Sequence, residues 1–266
     1  MTRVISALIL GPAVLLVITY APPLYFLIGL GAVGTLCLYE YLRLVRNMGL
    51  TGQAWFGYAA FWALLGGMYL KWFPVAALLS AVLVAGFMAA MWRKSPLKER
   101  ALGLMANMLG VVYLSFLLYP AIALRFDFGE ALGLHWVFLL FAVVWVGDSM
   151  ALVIGKTLGR TPFASSISPK KTNEGAIGGL VAGVAAGVLL QQFVLTDLPS
   201  GHVIAVAFLA GAFGQLGDLA ESMLKRAAEV KDSSGIIPGH GGVLDRIDSL
   251  LFAFPVAYLY LLVVYT

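Results

Sequence analysis

The chain has 266 residues, of which 61% are hydrophobic and 11% are charged, and its formal net charge is +4. Soluble domains carry about 25% charged residues, so this composition excludes a soluble globular protein and predicts an integral membrane protein. The single cysteine, Cys37, excludes a disulfide framework. Hydrophobic runs recur along the whole chain, so we expect one integral membrane domain, residues 1–266, without a nucleic-acid partner.

Nine apolar runs follow one another along the chain. A helix needs roughly 20 apolar residues to cross the hydrocarbon core, and short connections with Pro or Gly separate these runs. The predicted spans are 4–20, 24–42, 54–70, 74–91, 102–124, 135–154, 175–195, 203–224 and 248–265. They predict an all-α polytopic bundle. Glu40 is nearly alone as an ionisable residue in the early spans, so we expect 1–134 to be mainly scaffold and 135–266 to carry the functional residues.

The positive charges support nine spans. Lys and Arg concentrate on the cytoplasmic side of membrane proteins. With the N-terminus inside, fifteen of the seventeen Lys and Arg residues fall in inner segments, and only Lys71 and Arg125 fall outside. An error of one helix would mix the two sides further along the chain. The separation therefore predicts an N-in/C-out topology.

The seventh span has a face of small residues, formed by Gly175, Gly178, Gly179, Gly183 and Gly187. Small residues let two helices approach closely in a membrane. This face suits a close helix contact and could also serve a homodimer.

Three polar sites stand out on the predicted inner side. Asp148 lies near the end of the sixth span, the loop 167–175 reads ISPKKTNEG, and the eighth span ends in GQLGDLAESMLKR. An aspartate within a span suggests a functional site, although Asp218 could also make a polar contact between helices. Asp218, Ser222 and Lys225 share one helix face.

The segment 222–248 combines charged residues with glycines. Asp245 and Asp248 lie where the ninth helix is predicted to begin, so either could act in the site or cap the helix. The preceding Pro-Gly-His-Gly-Gly frees the backbone to wrap an anionic ligand. His240 has no second His or Cys nearby, which argues against zinc, whereas carboxylates suit Mg²⁺.

Cations surround these carboxylates. The set is Lys170, Lys171, Lys225, Arg226, Lys231 and Arg246. Cations together with a carboxylate-held Mg²⁺ suit a polyphosphate, although the same side chains could be ordinary anchors on the inner side of the membrane. The chain has no P-loop motif, which excludes a P-loop NTPase.

A long motif then links the chain to a known family. The stretch S-x-L-K-R-x4-K-D-x-S-x2-I-P-x-H-G-G-V-x-D-R-I-D, from Ser222 to Asp248, resembles the signature of the phosphatidate cytidylyltransferases, or CDP-diacylglycerol synthases. The upstream SPKKT-x-EG is similar to the same family. Asn173 and Leu152 depart from its usual residues, and neither belongs to the charged set. The resemblance covers the chain from about Asp148 onward, and 135–266 is then the catalytic half.

The resemblance implies that CTP and phosphatidate react to give CDP-diacylglycerol and pyrophosphate, with Mg²⁺ and room for a second cation. It implies a multi-pass protein of the inner membrane, in contact with membrane lipids, whose active site faces the cytoplasm. The nucleophile would be a phosphate oxygen that is already ionised, so no general base is needed. The reaction needs its anionic reactants neutralised and brought together.

Roles for the individual residues follow as hypotheses. Asp218 and Asp245 are the expected metal ligands, with Asp248 and Asp148 as further candidates. The expected catalytic residues are Asp218, Asp245, Lys225, Arg246 and His240. The expected substrate-binding residues are Ser168, Lys170, Lys171, Thr172, Glu174, Ser222, Arg226, Lys231, Asp232, Gly241 and Gly242. The loop Ser168–Glu174 would either hold the phosphatidate head group or close over the nucleotide.

Two other functions remain as alternatives. A CTP-dependent lipid kinase of the dolichol-kinase type would use a similar site but would need a base to deprotonate a lipid alcohol. An ion-coupled transporter would use Asp148 and Asp218 as relays within the membrane. The clustering of charges on one side argues against transport.

Overall fold

The computed structural model describes residues 2–265, with side chains from Gly11 to Tyr265. Within that range the chain forms nine helices and one short hairpin. The helices are α1 Thr2–Tyr20, α2 Pro23–Asn47, α3 Ala54–Leu70, α4 Val75–Met91, α5 Leu97–Phe126, α6 Glu130–Thr157, α7 Asn173–Phe193, α8 Ser200–Ala227 and α9 Leu244–Tyr265. The strands β1 Pro162–Ala164 and β2 Ser168–Thr172 pair antiparallel between α6 and α7.

Each predicted apolar run corresponds to one helix; the bounds of 54–70 agree with α3, and the other spans differ from their helices at one or both ends. Among the described residues, six helices are long and apolar enough to cross a membrane: α2, α5, α6, α7, α8 and α9. The helices α3 and α4 have 17 residues each, which is roughly 26 Å of helix against a hydrocarbon core of about 30 Å. The structure therefore defines an all-α integral membrane protein with at least these six candidate spans.

The chain divides into two compact units. The first consists of Met1–Ile122 and Leu224–Arg246, and the second of Ala123–Met223 and Ile247–Thr266. Each unit is built from its own hydrophobic contacts and carries its own polar cluster.

The first unit has a core between α3, α4 and α5. Phe56, Ala60, Leu64 and Met68 recur every four residues on α3, so they form one buried stripe of that helix. The stripe packs with Val82 of α4 and with Val111 of α5. This packing anchors the helices without using any of the predicted site residues.

Polar contacts add to the packing of the first unit. Tyr41 of α2 is 2% exposed, and its hydroxyl donates to the carbonyl of Ala106 at 3.0 Å. Asn107 donates from Nδ2 to the carbonyl of Gln53 at 2.8 Å, and Gln53 donates to the carbonyl of Ala89. These bonds satisfy buried polar groups that would otherwise be costly.

The second unit contains the predicted glycine seam. A Cβ on Gly179 of α7 would lie 2.6 Å from the Cβ of Ala151 and 2.7 Å from the carbonyl oxygen of Gly147, both on α6. A Cβ on Gly183 would lie 2.8 Å from the carbonyl oxygen of Val143. The predicted close helix contact is thus confirmed, and its partner is α6 of the same chain. The possible homodimer stays a prediction.

Candidate active site

The segment after α8 ends the helix in a defined way. Glu229 has φ +56°, and the amide of Val230 donates to the carbonyl of Lys225, which closes the helix in a left-handed C-terminal turn. Further on, the amide of His240 donates to the carbonyl of Ile237. Gly239, at φ +76°, supplies the positive φ that this turn requires at its third residue. The sequence Pro-Gly therefore encodes the turn directly.

The turn forms one wall of a cavity within the first unit. The cavity has a volume of about 540 Å³. Its lining consists of Lys231, Asp232, Ser234, Gly235, Ile237, Gly239, His240, Gly241 and Arg246. The buried Nδ1 of His240 has no hydrogen-bond partner among the described residues. The cavity is lined by the cationic side chains of Lys231 and Arg246 and by His240, as a binding site for an anion would be.

Asp245 is the centre of a hydrogen-bond network beside this cavity. Its Oδ1 accepts from Nζ of Lys225 at 2.5 Å, and the two side chains are 5% and 11% exposed. Its Oδ2 accepts from both N and Oγ of Ser233 at 2.9 Å and from N of Gly242 at 2.8 Å. Asp245 therefore links the end of α8, the loop and the start of α9.

Gly242 permits the loop to close tightly. A Cβ at this position would lie 2.6 Å from Oε1 of Glu40 and would collide with Oγ of Ser233. At Gly241, φ is +80°, and a Cβ would lie 2.8 Å from Oδ2 of Asp245. The two predicted glycines thus let the backbone approach the carboxylates.

Glu40 is a site residue that the sequence did not indicate. It lies on α2, it is 0% exposed, and its carboxylate accepts hydrogen bonds from both ends of the loop. The donors are the hydroxyls of Ser233 and Ser234 and the amides of Val243 and Leu244. A lone carboxylate in an apolar run was the available signal, but the sequence gives no indication of partners about 200 positions away.

Arg226, the other cation at the end of α8, is exposed, and its guanidinium donates to the carbonyl of Val230 at 3.0 Å. It therefore helps to fix the turn that follows α8.

The second unit carries a separate polar cluster around Asp218 of α8. Its Oδ2 lies 2.6 Å from Nζ of Lys171, with the side chains 32% and 28% exposed. Its Oδ1 accepts from the hydroxyl of Ser222, one helical turn on, at 3.4 Å. The structure thus brings three of the predicted residues together.

Lys171 belongs to the hairpin, which replaces the loop expected at 167–175. Ser168 begins β2 and pairs with Ala164. Thr172 caps α7, because its Oγ1 accepts from the amide of Gly175 at 3.2 Å. Lys170 is exposed.

Glu174 closes the hairpin at its base. Its carboxylate accepts from the amide of Arg160 at 3.0 Å and from both the amide and the hydroxyl of Thr161. These bonds connect the start of α7 to the base of the hairpin. Contact of Glu174 with substrate stays a prediction.

Asp148 and Asp248 both bond to Ser249. Oδ2 of Asp148 accepts from the hydroxyl of Ser249 at 3.2 Å, and Oδ1 of Asp248 accepts from its amide at 2.7 Å. Because α9 begins at Leu244, Asp248 lies in its second turn, and the capping alternative for Asp248 is wrong. Asp245 lies in the first turn of α9, but the amide that it accepts, of Gly242, precedes the helix, so its capping alternative is not shown.

The apolar helices and the cationic cavity define a class, an integral membrane protein with a site suited to an anionic ligand. Comparison with known proteins gives the family. The model of the cytidylyltransferase family matches residues 1–264, and the chain belongs to that family.

Several relatives that share the name phosphatidate cytidylyltransferase agree with this assignment. The phosphatidate cytidylyltransferase of Brucella abortus is 36% identical over 97% of this chain and 92% of its own length. That of Haemophilus influenzae is 33% identical over 95% of each chain. That of Bacillus subtilis is 44% identical over 47% of each chain. The resemblance inferred from the Ser222–Asp248 motif is confirmed, and it extends over both halves of the chain.

Proposed function

We propose that this protein transfers the cytidylyl group of CTP to phosphatidate, giving CDP-diacylglycerol and pyrophosphate. The family match over residues 1–264 carries the proposal. The cavity in the first unit supports it, because Lys231, His240 and Arg246 line a volume of about 540 Å³ with groups that suit phosphates.

The reaction determines what the residues must do. A phosphate oxygen of phosphatidate attacks the α-phosphorus of CTP, the bond to the β-phosphate oxygen breaks, and pyrophosphate leaves. The attacking oxygen is already ionised, so the site has no proton to remove before attack. Its main task is to hold two anions together and to stabilise the charge that develops on the leaving group.

Arg246 is well placed for this task in the first unit. It lies in the first turn of α9, where the helix dipole disfavours a cation unless an anion is bound nearby. In the proposal Arg246 and Lys231 contact the phosphates, and His240 donates from its ring to a phosphate oxygen. Lys225 has a different role, because its ammonium group is already paired with Asp245 and keeps that carboxylate in place.

The hairpin of the second unit is the proposed contact for the other anion. Exposed Lys170 and half-buried Lys171 lie on β2, and Lys171 pairs with Asp218. We assign the phosphatidate head group to these cations and CTP to the cavity of the first unit.

The family resemblance also implies Mg²⁺. No group of three or more His, Cys, Asp or Glu side chains suited to a metal occurs among the described residues. Mg²⁺ at phosphates usually takes only one or two carboxylates and completes its shell with water and substrate oxygens, so single carboxylates fit it. Asp218 fits because it is 32% exposed and its carboxylate contacts only Lys171 and the hydroxyl of Ser222 among the contacts described above. When bound, the ion would neutralise charge on the phosphates.

Asp245, Asp148 and Asp248 remain further candidates for cation binding. Asp245 is the most constrained of them, because four donors already contact its carboxylate. The proposal includes a second cation, which is supported only by the presence of these carboxylates.

We place the active site on the cytoplasmic side of the inner membrane, in a chain of nine spans with its N-terminus inside. Fifteen of seventeen Lys and Arg residues on one side support this topology. CTP is then available from the cytosol, and phosphatidate from the adjacent leaflet.

Labelled CTP tests the proposed function. Purified protein receives phosphatidate, Mg²⁺ and CTP labelled at either the α- or the γ-phosphate, and the lipid is extracted. We expect α-label in the lipid and γ-label in released pyrophosphate. Entry of γ-label into a lipid alcohol would identify a kinase instead, and label in neither lipid would overturn the proposed function. Omission of phosphatidate is the control.

A further inference from the structure

We infer that Glu40 is a positioning residue for the CTP site, acting from α2 by fixing both ends of the loop that lines the cavity. The inference rests on the proposed function, because it concerns the cavity to which CTP is assigned. It gives a residue of the first half, outside the Ser222–Asp248 motif, a part in the reaction.

The bonds of Glu40 are evenly divided between its two carboxylate oxygens. Oε1 accepts from the hydroxyl of Ser234 and, at 2.9 Å, from the amide of Val243. Oε2 accepts from the hydroxyl of Ser233 at 3.1 Å and from the amide of Leu244 at 2.7 Å. Each oxygen therefore holds one side chain from the start of the loop and one backbone amide from its end.

Most of the cavity lining lies on the segment between these two points of attachment, and Lys231, Asp232 and Arg246 lie just outside it. Ser234 itself lines the cavity, and so do His240 and Gly241 in the turn that follows. With Glu40 in place, the two ends of this turn are held at a fixed separation. The position of His240, one of the proposed phosphate-binding groups, therefore depends on a carboxylate that does not line the cavity.

The burial of Glu40 indicates that the network is more than incidental packing. An isolated ionised carboxylate is expensive to bury, and an apolar residue of similar volume would avoid that cost. Glu40 also accepts two of the amides at the start of α9, which have no partner within the helix. The network orders a loop that otherwise has few regular backbone bonds.

Replacing Glu40 with glutamine would remove the charge and one acceptor oxygen but keep the size of the side chain. An amide has one oxygen and one NH₂ group. The serine hydroxyls can turn to accept from the NH₂ group, but the amide of either Val243 or Leu244 would then face another donor. Glu40→Gln should therefore loosen one end of the loop while preserving the volume of the side chain.

Tyr41→Phe is the matched control. Tyr41 is the next residue of α2, it is 2% exposed, and its hydroxyl bonds to Ala106 rather than to the loop. Both variants remove a buried polar contact of the same helix. A difference between them in CTP kinetics therefore reports the loop and not the stability of α2.

The experiment measures kcat and KM for CTP and for phosphatidate, with thermal unfolding of each variant in detergent. We expect Glu40→Gln to lower kcat/KM for CTP about tenfold or more, as loss of a buried charged hydrogen bond does, while Tyr41→Phe stays within about twofold of wild type. We also expect KM for phosphatidate to change by less than about twofold, since the loop cavity is assigned to CTP.

Three results would overturn the inference: wild-type kinetics in Glu40→Gln, equal losses for both substrates, or an equal loss in Tyr41→Phe. If Glu40→Gln does not fold, Glu40→Asp provides the second test, because it keeps the charge but shortens the side chain, so one carboxylate can no longer hold both ends of the loop. Glu40→Asp with wild-type CTP kinetics would then refute it. An inactive wild-type protein would instead refute the proposed function, so the two failures are distinguishable.

Discussion

At the scale of single residues, the pair Lys225–Asp245 joins stability to activity. Its charged atoms lie 2.5 Å apart, and the side chains are only 11% and 5% exposed. Removing one partner of a buried pair destabilises a protein by about 3–5 kcal/mol, whereas replacing both with apolar residues is often neutral. This asymmetry allows the two roles of the pair to be separated.

We predict that Lys225→Met will be destabilised and that Lys225→Met/Asp245→Leu will recover only the part of the lost stability that comes from the unpaired charge, because the amides of Ser233 and Gly242 then lose their acceptor. Cytidylyl transfer should stay at least about a hundredfold below wild type in both, because the apolar pair cannot bind the donors of the loop. Thermal unfolding and incorporation of α-labelled CTP measure the two quantities. Activity that returned together with stability would show that the pair is structural only.

Asp218 differs from Asp245 in exposure and therefore in what its replacement should do. It is 32% exposed and contacts Lys171, so its contribution to stability is expected to be small. If it binds Mg²⁺ with the substrate phosphates, Asp218→Asn should raise the Mg²⁺ concentration for half-maximal activity about tenfold, with little change in unfolding temperature.

The control for this prediction is Asp197→Asn. Asp197 also lies in the second unit and pairs with His135 at 2.7 Å, but neither residue belongs to the proposed site. Its Mg²⁺ dependence should match wild type. An unchanged Mg²⁺ dependence in Asp218→Asn would exclude Asp218 as a ligand.

At the scale of elements, the contact of α6 with α7 depends on the absence of side chains. The backbone of Gly179 faces Ala151 and Gly147, and a Cβ would approach backbone as well as side-chain atoms. Backbone of a packed helix cannot move aside as a flexible side chain does. The two helices would therefore have to separate.

We predict that Gly179→Val will destabilise the protein by about 1–3 kcal/mol, the usual effect of overpacking, and that it will lower the unfolding temperature in detergent. Gly201→Ala is the control, because Gly201 lies in α8 of the same unit and a Cβ there meets nothing within 4 Å. Equal unfolding temperatures for the two variants would contradict the close contact.

The same elements show what sequence patterns can and cannot predict. The apolar runs located all nine helices of the described chain, because the hydrophobic effect acts on each run locally. The runs missed helix ends, since α8 continues to Ala227 and α9 begins at Leu244, within charged sequence. Hydrogen bonds extend a helix into polar residues that a hydropathy window excludes.

Side-chain contacts were predictable only where they are local or carried by a motif. Gly239 follows from its turn, and the Asp218–Ser222 contact follows from helix periodicity. The bonds of Glu40 join positions 193 to 204 residues apart, and no local pattern specifies such a pair. The hairpin was also missed, because its strands have three and five residues and no apolar alternation.

At the scale of the whole molecule, the open question is how many helices cross the membrane. Six described helices are long enough by themselves, whereas α3 and α4 are short. The distribution of Lys and Arg favours a crossing by α4, because the connection before it carries Lys71 and the next one carries Arg93 and Lys94, with Lys98 and Arg100 in the first turn of α5. Measuring on which side of the membrane each connection lies therefore tests the number of spans.

We predict that cysteines at Lys71 and Thr196 will react with a membrane-impermeant maleimide from outside, and that one at Ser165 will react only after permeabilisation. All three positions are exposed, and Cys37, which is fully buried, is first replaced by alanine. Four helices, α4 to α7, separate Lys71 from Thr196. The two positions therefore share a side of the membrane only if an even number of these helices cross it, as all four do in the proposed topology. Opposite labelling of these two positions would show that an odd number of the four helices cross and would contradict nine spans. Labelling of Ser165 from outside would place the hairpin with Lys170 and Lys171 away from the cytosol, and the proposed access of CTP would then be wrong.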